Sequence, residues 1–162
     1  MHAVRPFSTP TTLSHMLHPA PTTIIDPTIA RGVLEAVQPD AFGRPGFITV
    51  SFPNTSYQTH LRPTAAIKAE IGKRILGIIR VTSRRVDTVD TGGKYIEPVF
   101  GRPRRVQGRV IATDEAARSI VVDAGMPIHL ALNDARQRAS DFAPGDLVSC
   151  DVLDGATFTP AA

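Results

Sequence analysis

At 162 residues and a net charge of +3, the chain has room for one domain or two small ones, and its composition is that of an ordinary soluble protein. No apolar run approaches the length of a membrane helix, and the single cysteine, Cys150, excludes an intramolecular disulfide and a zinc cluster built on cysteines. Fourteen prolines and twelve glycines suit many turns and short strands, not a helical bundle.

The charge is unevenly spread. Residues 1–109 carry fifteen Lys/Arg and seven Asp/Glu, whereas residues 110–162 carry three and eight. The first part is thus at +8 and the second at −5. Such asymmetry points to an electropositive partner-binding surface, to attraction between the two parts, or to both.

In chain order, residues 1–27 form a Pro/Thr-rich arm. Pro6, Pro10, Pro19 and Pro21 forbid a long helix, and the composition buries too little apolar surface to fold alone. Phe7, Leu13, Met16 and Leu17 are its apolar anchors for a partner protein or a second copy. His15 and His18 stand three apart without a neighbouring carboxylate or thiol, so no metal is expected there.

Residues 28–100 hold the first unit. Strands are expected at Arg31–Asp40, Phe47–Phe52 and Tyr57–Leu61, a short helix at Thr64–Glu70, and a closing strand within Ile71–Val81. Arg84–Val89 and Lys94–Phe100 flank the turn-forming Asp90-Thr91-Gly92-Gly93 and read as a hairpin that completes this unit. Residues 101–156 hold the second unit, entered through Gly101-Arg102-Pro103-Arg104-Arg105. Strands are expected at Arg105–Thr113, Ser119–Asp123, Ile128–Leu132 and Leu147–Leu153, with Asn133 capping a short helix over Asp134–Ser140. Residues 157–162 are a tail.

The two units match in order and character. Gly32 corresponds to Gly108 at an offset of 76, Ile48 to Ile120 at 72 and Gly72 to Gly145 at 73, which places insertions and deletions in loops. His60 and His129 fall at similar places on the third strand of each copy. Strand, strand, strand, short helix, strand in about fifty residues resembles the oligonucleotide/oligosaccharide-binding fold, a partly open, five-stranded Greek-key barrel. The resemblance implies a mostly β protein: two small five-stranded barrels in tandem, each with a short helix, behind an extended arm.

Chemistry is sparse. Asp90-Thr91-Gly92 matches the aspartic-protease triplet, but that chemistry needs two facing carboxylates, and a polar turn explains it. No phosphate loop, dinucleotide fingerprint, His-Glu-x-x-His or Gly-x-Ser-x-Gly motif is present. Cys150, on the closing strand, reads as core filler. The main functional signal is basic. Arg80, Arg84, Arg85, Lys94, Arg102, Arg104, Arg105 and Arg109 lie within thirty residues of one another. Spacing of two in Arg80-Thr82-Arg84 and in Arg105-Gln107-Arg109 puts each set on one strand face, where it can track a phosphate backbone. Phe52 is in phase with the core, so Tyr57 and Tyr95 are the expected surface stackers.

The expected function is therefore non-enzymatic, cytoplasmic nucleic-acid binding, RNA first, through the first barrel and connector. It needs no cofactor and no metal. The rival is an assembly module that makes protein contacts through its arm and barrel edges.

Overall fold

Apolar residues at every second position set the strand faces. In Ala30–Gln38 (β1), Ala30, Gly32 and Leu34 are buried while Arg31 and Glu35 are exposed, the half-buried pattern of a period-two strand. The same rule produces Phe47–Ser51 (β2), Gln58–Pro63 (β3) and the fifteen-residue Arg74–Thr88 (β4). Tyr95–Glu97 (β5), Phe100–Gly101 (β6), Arg105–Asp114 (β7) and Ser119–Asp123 (β8) follow. Pro127–Leu132 (β9), Leu147–Val152 (β10) and Thr157–Pro160 (β11) complete the set. The computed structural model describes residues 25–161. The arm anchors Phe7, Leu13, Met16 and Leu17 lie outside the described residues.

The protein is mostly β, and no α-helix occurs among the described residues. Neither expected helix forms: Thr64–Glu70 is irregular, and Asp134–Ser140 yields only a single 3₁₀ turn at Ala139–Asp141. Both stretches are seven residues long, too short to repay helix nucleation. The Asp134 carboxylate instead accepts the Arg136 backbone N–H at 2.9 Å and its guanidinium, a local turn that competes with helix.

All eleven strands belong to one sheet, and its ladder closes on itself twice. One circuit runs β1-β2-β3-β11-β4 and back to β1. The other runs β7-β8-β9-β4-β10 and back to β7. Within the circuits every pairing is antiparallel except β3 with β11 and β4 with β9, one in each; outside them, β6 lies parallel to β3. The long β4 is common to both. Its residues 74–80 pair with β1 and β11, and its residues 79–88 pair with β9 and β10. One continuous core fills the molecule, from Leu34, Ile48 and Phe158 to Ile120, Ile128 and Val148.

Three parts of the sequence reading change. The Arg84–Phe100 hairpin does not form: Val86–Thr88 pair with β10 and Tyr95–Glu97 with β7, so this segment serves the second circuit. The expected tail supplies β11, whose Phe158 is fully buried. The units expected in tandem exchange strands, because β11 closes the first circuit and β4 runs on into the second.

The circuits correspond in detail. Each opening strand carries a bulge at the same step, Glu35 between Leu34 and Ala36, and Ile111 between Val110 and Ala112. Gly72 N–H donates to the Leu34 carbonyl at 2.7 Å, and Gly145 N–H to the Val110 carbonyl at 2.8 Å. Gly32 and Gly108 both lie where a Cβ would strike the backbone carbonyl of the adjacent second strand, Ser51 or Asp123.

Candidate nucleic-acid interface

The outer face of β2 and β3 is built by register. Thr49 pairs with His60 and Ile48 with Leu61, so inward Ile48, Val50 and Leu61 leave Phe47 and His60 on the opposite face. β6 lies parallel beside β3, with Phe100 paired to Gln58. Three rings therefore meet. Phe47 stacks on His60 at a centroid distance of 4.3 Å and 22°, and Phe100 meets His60 edge-on at 4.9 Å and 79°. Phe100 remains 62% exposed.

Arginines border these rings. A cleft of about 540 Å³ is lined by Phe47, His60, Arg44, Arg62, Arg102 and the Asp154–Ala156 connection into β11. Arg102 pairs with Asp154 at 2.9 Å on the exposed rim, a contact worth little in water. Arg44 and Arg62 make no side-chain hydrogen bond or ion pair among the described residues. Burial first, and the nearby Arg102 charge second, hold the His60 pKa below the usual imidazole value, so the ring is neutral near pH 7 and presents a flat, weakly polar face. Positive charge around an aromatic cluster is the combination that holds a phosphate chain while its bases stack.

The residues expected from sequence are distributed differently. Of the ten, only Arg102 lines this cleft. Arg80 is exposed on β4 and donates to Thr159 Oγ1 at 3.0 Å. Arg84 and Arg85 are both exposed because the β4–β10 register slips between Val152 and Cys150, leaving two residues opposite Asp151. Arg85 pairs with Asp87 at 3.1 Å. Arg105 pairs with Asp151 at 2.8 Å and donates to Ser149 Oγ at 2.8 Å and to the Tyr95 hydroxyl at 3.4 Å. These contacts raise its pKa, with Tyr95 the first cause and Asp151 the second. Lys94 pairs with Asp123 at 2.7 Å and, with Tyr57, lines a separate groove of about 650 Å³. Arg109 donates to the Gly145 carbonyl at 2.8 Å. Arg104 is exposed. Arg105, Gln107 and Arg109 share one face of β7, but Gln107 is buried and donates to the Gly93 carbonyl, so the exposed stripe is interrupted. The connector is therefore largely an ion-paired outer face.

Sequence reasoning missed Arg44, Arg62, Phe47, His60 and Phe100 as a set. His60 and Arg62 share a strand face at spacing two, which is legible. The approach of Phe100 depends on β6 lying against β3, which is not. Among the described residues no group of three or more His, Cys, Asp or Glu is placed to hold a metal, and no helix is long and apolar enough to cross a membrane. Compared with protein-family models, curated proteins and solved structures, the chain gives no match.

Proposed function

We propose that the chain is a pair of interlocked five-stranded barrels of the oligonucleotide/oligosaccharide-binding kind, and that the β2–β3 face of the first binds single-stranded nucleic acid, RNA first, without catalysis. The observation that carries this reading is the Phe47–His60–Phe100 cluster, of which Phe47 and His60 line an open cleft together with Arg44, Arg62 and Arg102.

The topology supports it. In each circuit three consecutive antiparallel strands are followed by a fourth that returns beside the first: β4-β1-β2-β3 and β10-β7-β8-β9. That is the Greek-key order. A fifth strand closes each ring, β11 in one and the second half of β4 in the other. Barrels of this kind take oligonucleotides on the face of their second and third strands and on the loops between strands one and two and between four and five. Here Phe47, His60 and Arg62 lie on the second and third strands, Arg44 on the first connection, and Asp154–Ala156 lead into the fifth. The chain departs from the family in lacking the helix between strands three and four.

The test is binding of labelled twelve-nucleotide single strands of RNA and DNA, and of duplexes, at two salt concentrations. Single strands should bind more tightly than duplex. With three arginines engaged, log K against log salt should slope by about −2. Removing Phe47 or Phe100 should cost about 1–3 kcal/mol for each base that stacks. Arg84→Gln with Arg85→Gln should change affinity little. Absence of binding at low salt by folded protein would refute the reading and leave protein contacts in its place.

A further inference from the structure

The connection between β1 and β2 differs in length from its counterpart in the second circuit. The offset of 76 at Leu34 and Val110 falls to 72 at Ile48 and Ile120, so this connection is four residues longer than the one between β7 and β8. Its tip is a two-residue turn. Ala41 and Arg44 exchange backbone hydrogen bonds of 3.1 and 2.9 Å, and Phe42 and Gly43 both have positive φ, at 51° and 72°. Such turns favour Asn-Gly, because side chains at positive φ are strained. Phenylalanine at the first position is therefore a costly choice, and its ring is fully exposed, at 103%. The Asp40 carboxylate accepts the Gly46 N–H across the base of the loop and fixes it.

Between this turn and β2 lies a groove of about 630 Å³, lined by Gln38, Pro39, Ala41, Phe42, Arg44, Pro45 and Phe47. Of its lining residues only Gln38 and Arg44 have polar side chains. Arg44 and Phe47 line the neighbouring arginine cleft as well, so the two are continuous.

We propose that this groove is a nucleobase subsite. Phe42 forms one wall of the base slot, Arg44 holds the phosphate at the shared rim, and the Gln38 amide holds the base edge. An amide offers one donor side and one acceptor side, which pairs with the N6 and N7 of adenine and equally with the N3 and O4 of uracil. The amide therefore holds a base edge, and the larger purine face stacked on Phe42 sets the preference. The subsite thus gives the interface a preference for adenine. The inference rests on the single-strand reading above.

The experiment compares wild type, Phe42→Asn and Gln38→Ala on labelled twelve-nucleotide oligoadenylate and oligouridylate, with thermal melting alongside. Wild type should favour oligoadenylate about tenfold. Phe42→Asn suits the turn and removes the wall. It should weaken oligoadenylate about tenfold while the melting temperature holds or rises. Gln38→Ala should weaken both oligomers and keep the preference, which Phe42→Asn should abolish. Equal affinity of wild type for both oligomers, or wild-type binding by Phe42→Asn, overturns the subsite while the cleft reading stands. Failure of wild type to bind either oligomer overturns both.

Discussion

Phe158→Ala tests whether the two circuits are one thermodynamic unit. Phe158 is the buried centre of β11, at 0% exposure. It pairs with Pro63 on β3 and Ile79 on β4, and its ring lies over the backbone of Gly77. Removing a buried phenylalanine costs about 3–5 kcal/mol, because the lost transfer energy is joined by the cavity left behind. A chain of this length is stable by roughly 8–24 kcal/mol in all. At about 2–4 °C per kcal/mol for a protein of this size, the midpoint should fall by about 6–20 °C.

The informative part is where that loss is felt. β4 carries hydrogen bonds to both circuits within one unbroken strand, so opening the first circuit frees the edge against which β9 and β10 pair. Two tyrosines report locally. Tyr57 leads into β3 of the first circuit, and Tyr95 lies in β5, paired to β7 of the second. Tyr57→Phe and Tyr95→Phe backgrounds each leave one fluorophore, and the chain has no tryptophan. Phe158→Ala should lower both tyrosine transitions to the same midpoint. A Tyr57 transition that drops while the Tyr95 transition stays in place would refute the shared-strand argument.

Gly77→Ala should destabilise by roughly 1–3 kcal/mol through overpacking, since its Cβ would strike the Phe158 ring and the Thr159 carbonyl; urea denaturation measures it. Burial pushes the Cys150 thiol up to about 12, against which the Arg105 charge acts only weakly, so at pH 8 the native protein should resist a thiol reagent and react only as fast as it unfolds. His60 has a depressed folded pKa, mainly through burial. As pH falls through the unfolded value near 6.5, the unfolded chain takes up a proton that the folded chain does not. Stability should therefore decline from about pH 7 down to the folded pKa and level off below it, and His60→Gln should flatten that part of the profile. Full stability at pH 5.5 with no difference between the two proteins would contradict the assignment.

The strands were legible where one face is buried. Ile48, Val50 and Leu61, and Ile120, Val122 and Leu130, announce themselves by period two, and the offsets at Gly32/Gly108 and Gly72/Gly145 fall on matching hydrogen bonds. The partners were not legible, because alternation fixes a strand's face and leaves its neighbour open. Ile75 to Ser83 alternates without a break, and nothing in it marks the point near Ile79 where β4 leaves one circuit for the other. Thr157–Pro160 is too short to carry a pattern, yet Phe158 is among the most deeply buried side chains. The site followed the same division. Counting arginines and lysines located a charged surface between residues 80 and 109, but several of those cations meet acids: Arg105 and Asp151 become neighbours through the β7–β10 ladder, and Lys94 and Asp123 through a fold-level contact. Cations left without a partner among the described residues are identified only after that subtraction, and Arg44 and Arg62 are two of them.

The second circuit serves as an internal control for the first. At the places taken by Phe47, His60 and Arg62 in β2 and β3, register puts Ser119, His129 and Ala131 in β8 and β9. The histidine is kept, and the aromatic and the cation around it are not. His129 Nε2 lies 2.9 Å from the Thr28 carbonyl, so the chain's own lead-in crosses that face. Among the described residues no such segment crosses the equivalent face of the first circuit, and it alone carries the longer β1–β2 connection, Phe42 and the stacked rings. A histidine that serves as a backbone contact in one copy is a stacking surface in the other. Because both circuits turn matching residues inward, Ile48 and Ile120, Val50 and Val122, Leu61 and Leu130, the differences on the outer face are not dictated by folding, and they converge on one cleft. Grafting the small residues of the second face onto the first, as Phe47→Ser with Arg62→Ala, should therefore leave stability close to wild type while removing most single-strand affinity. A graft that unfolds the protein would mean that Phe47 and Arg62 are there for packing.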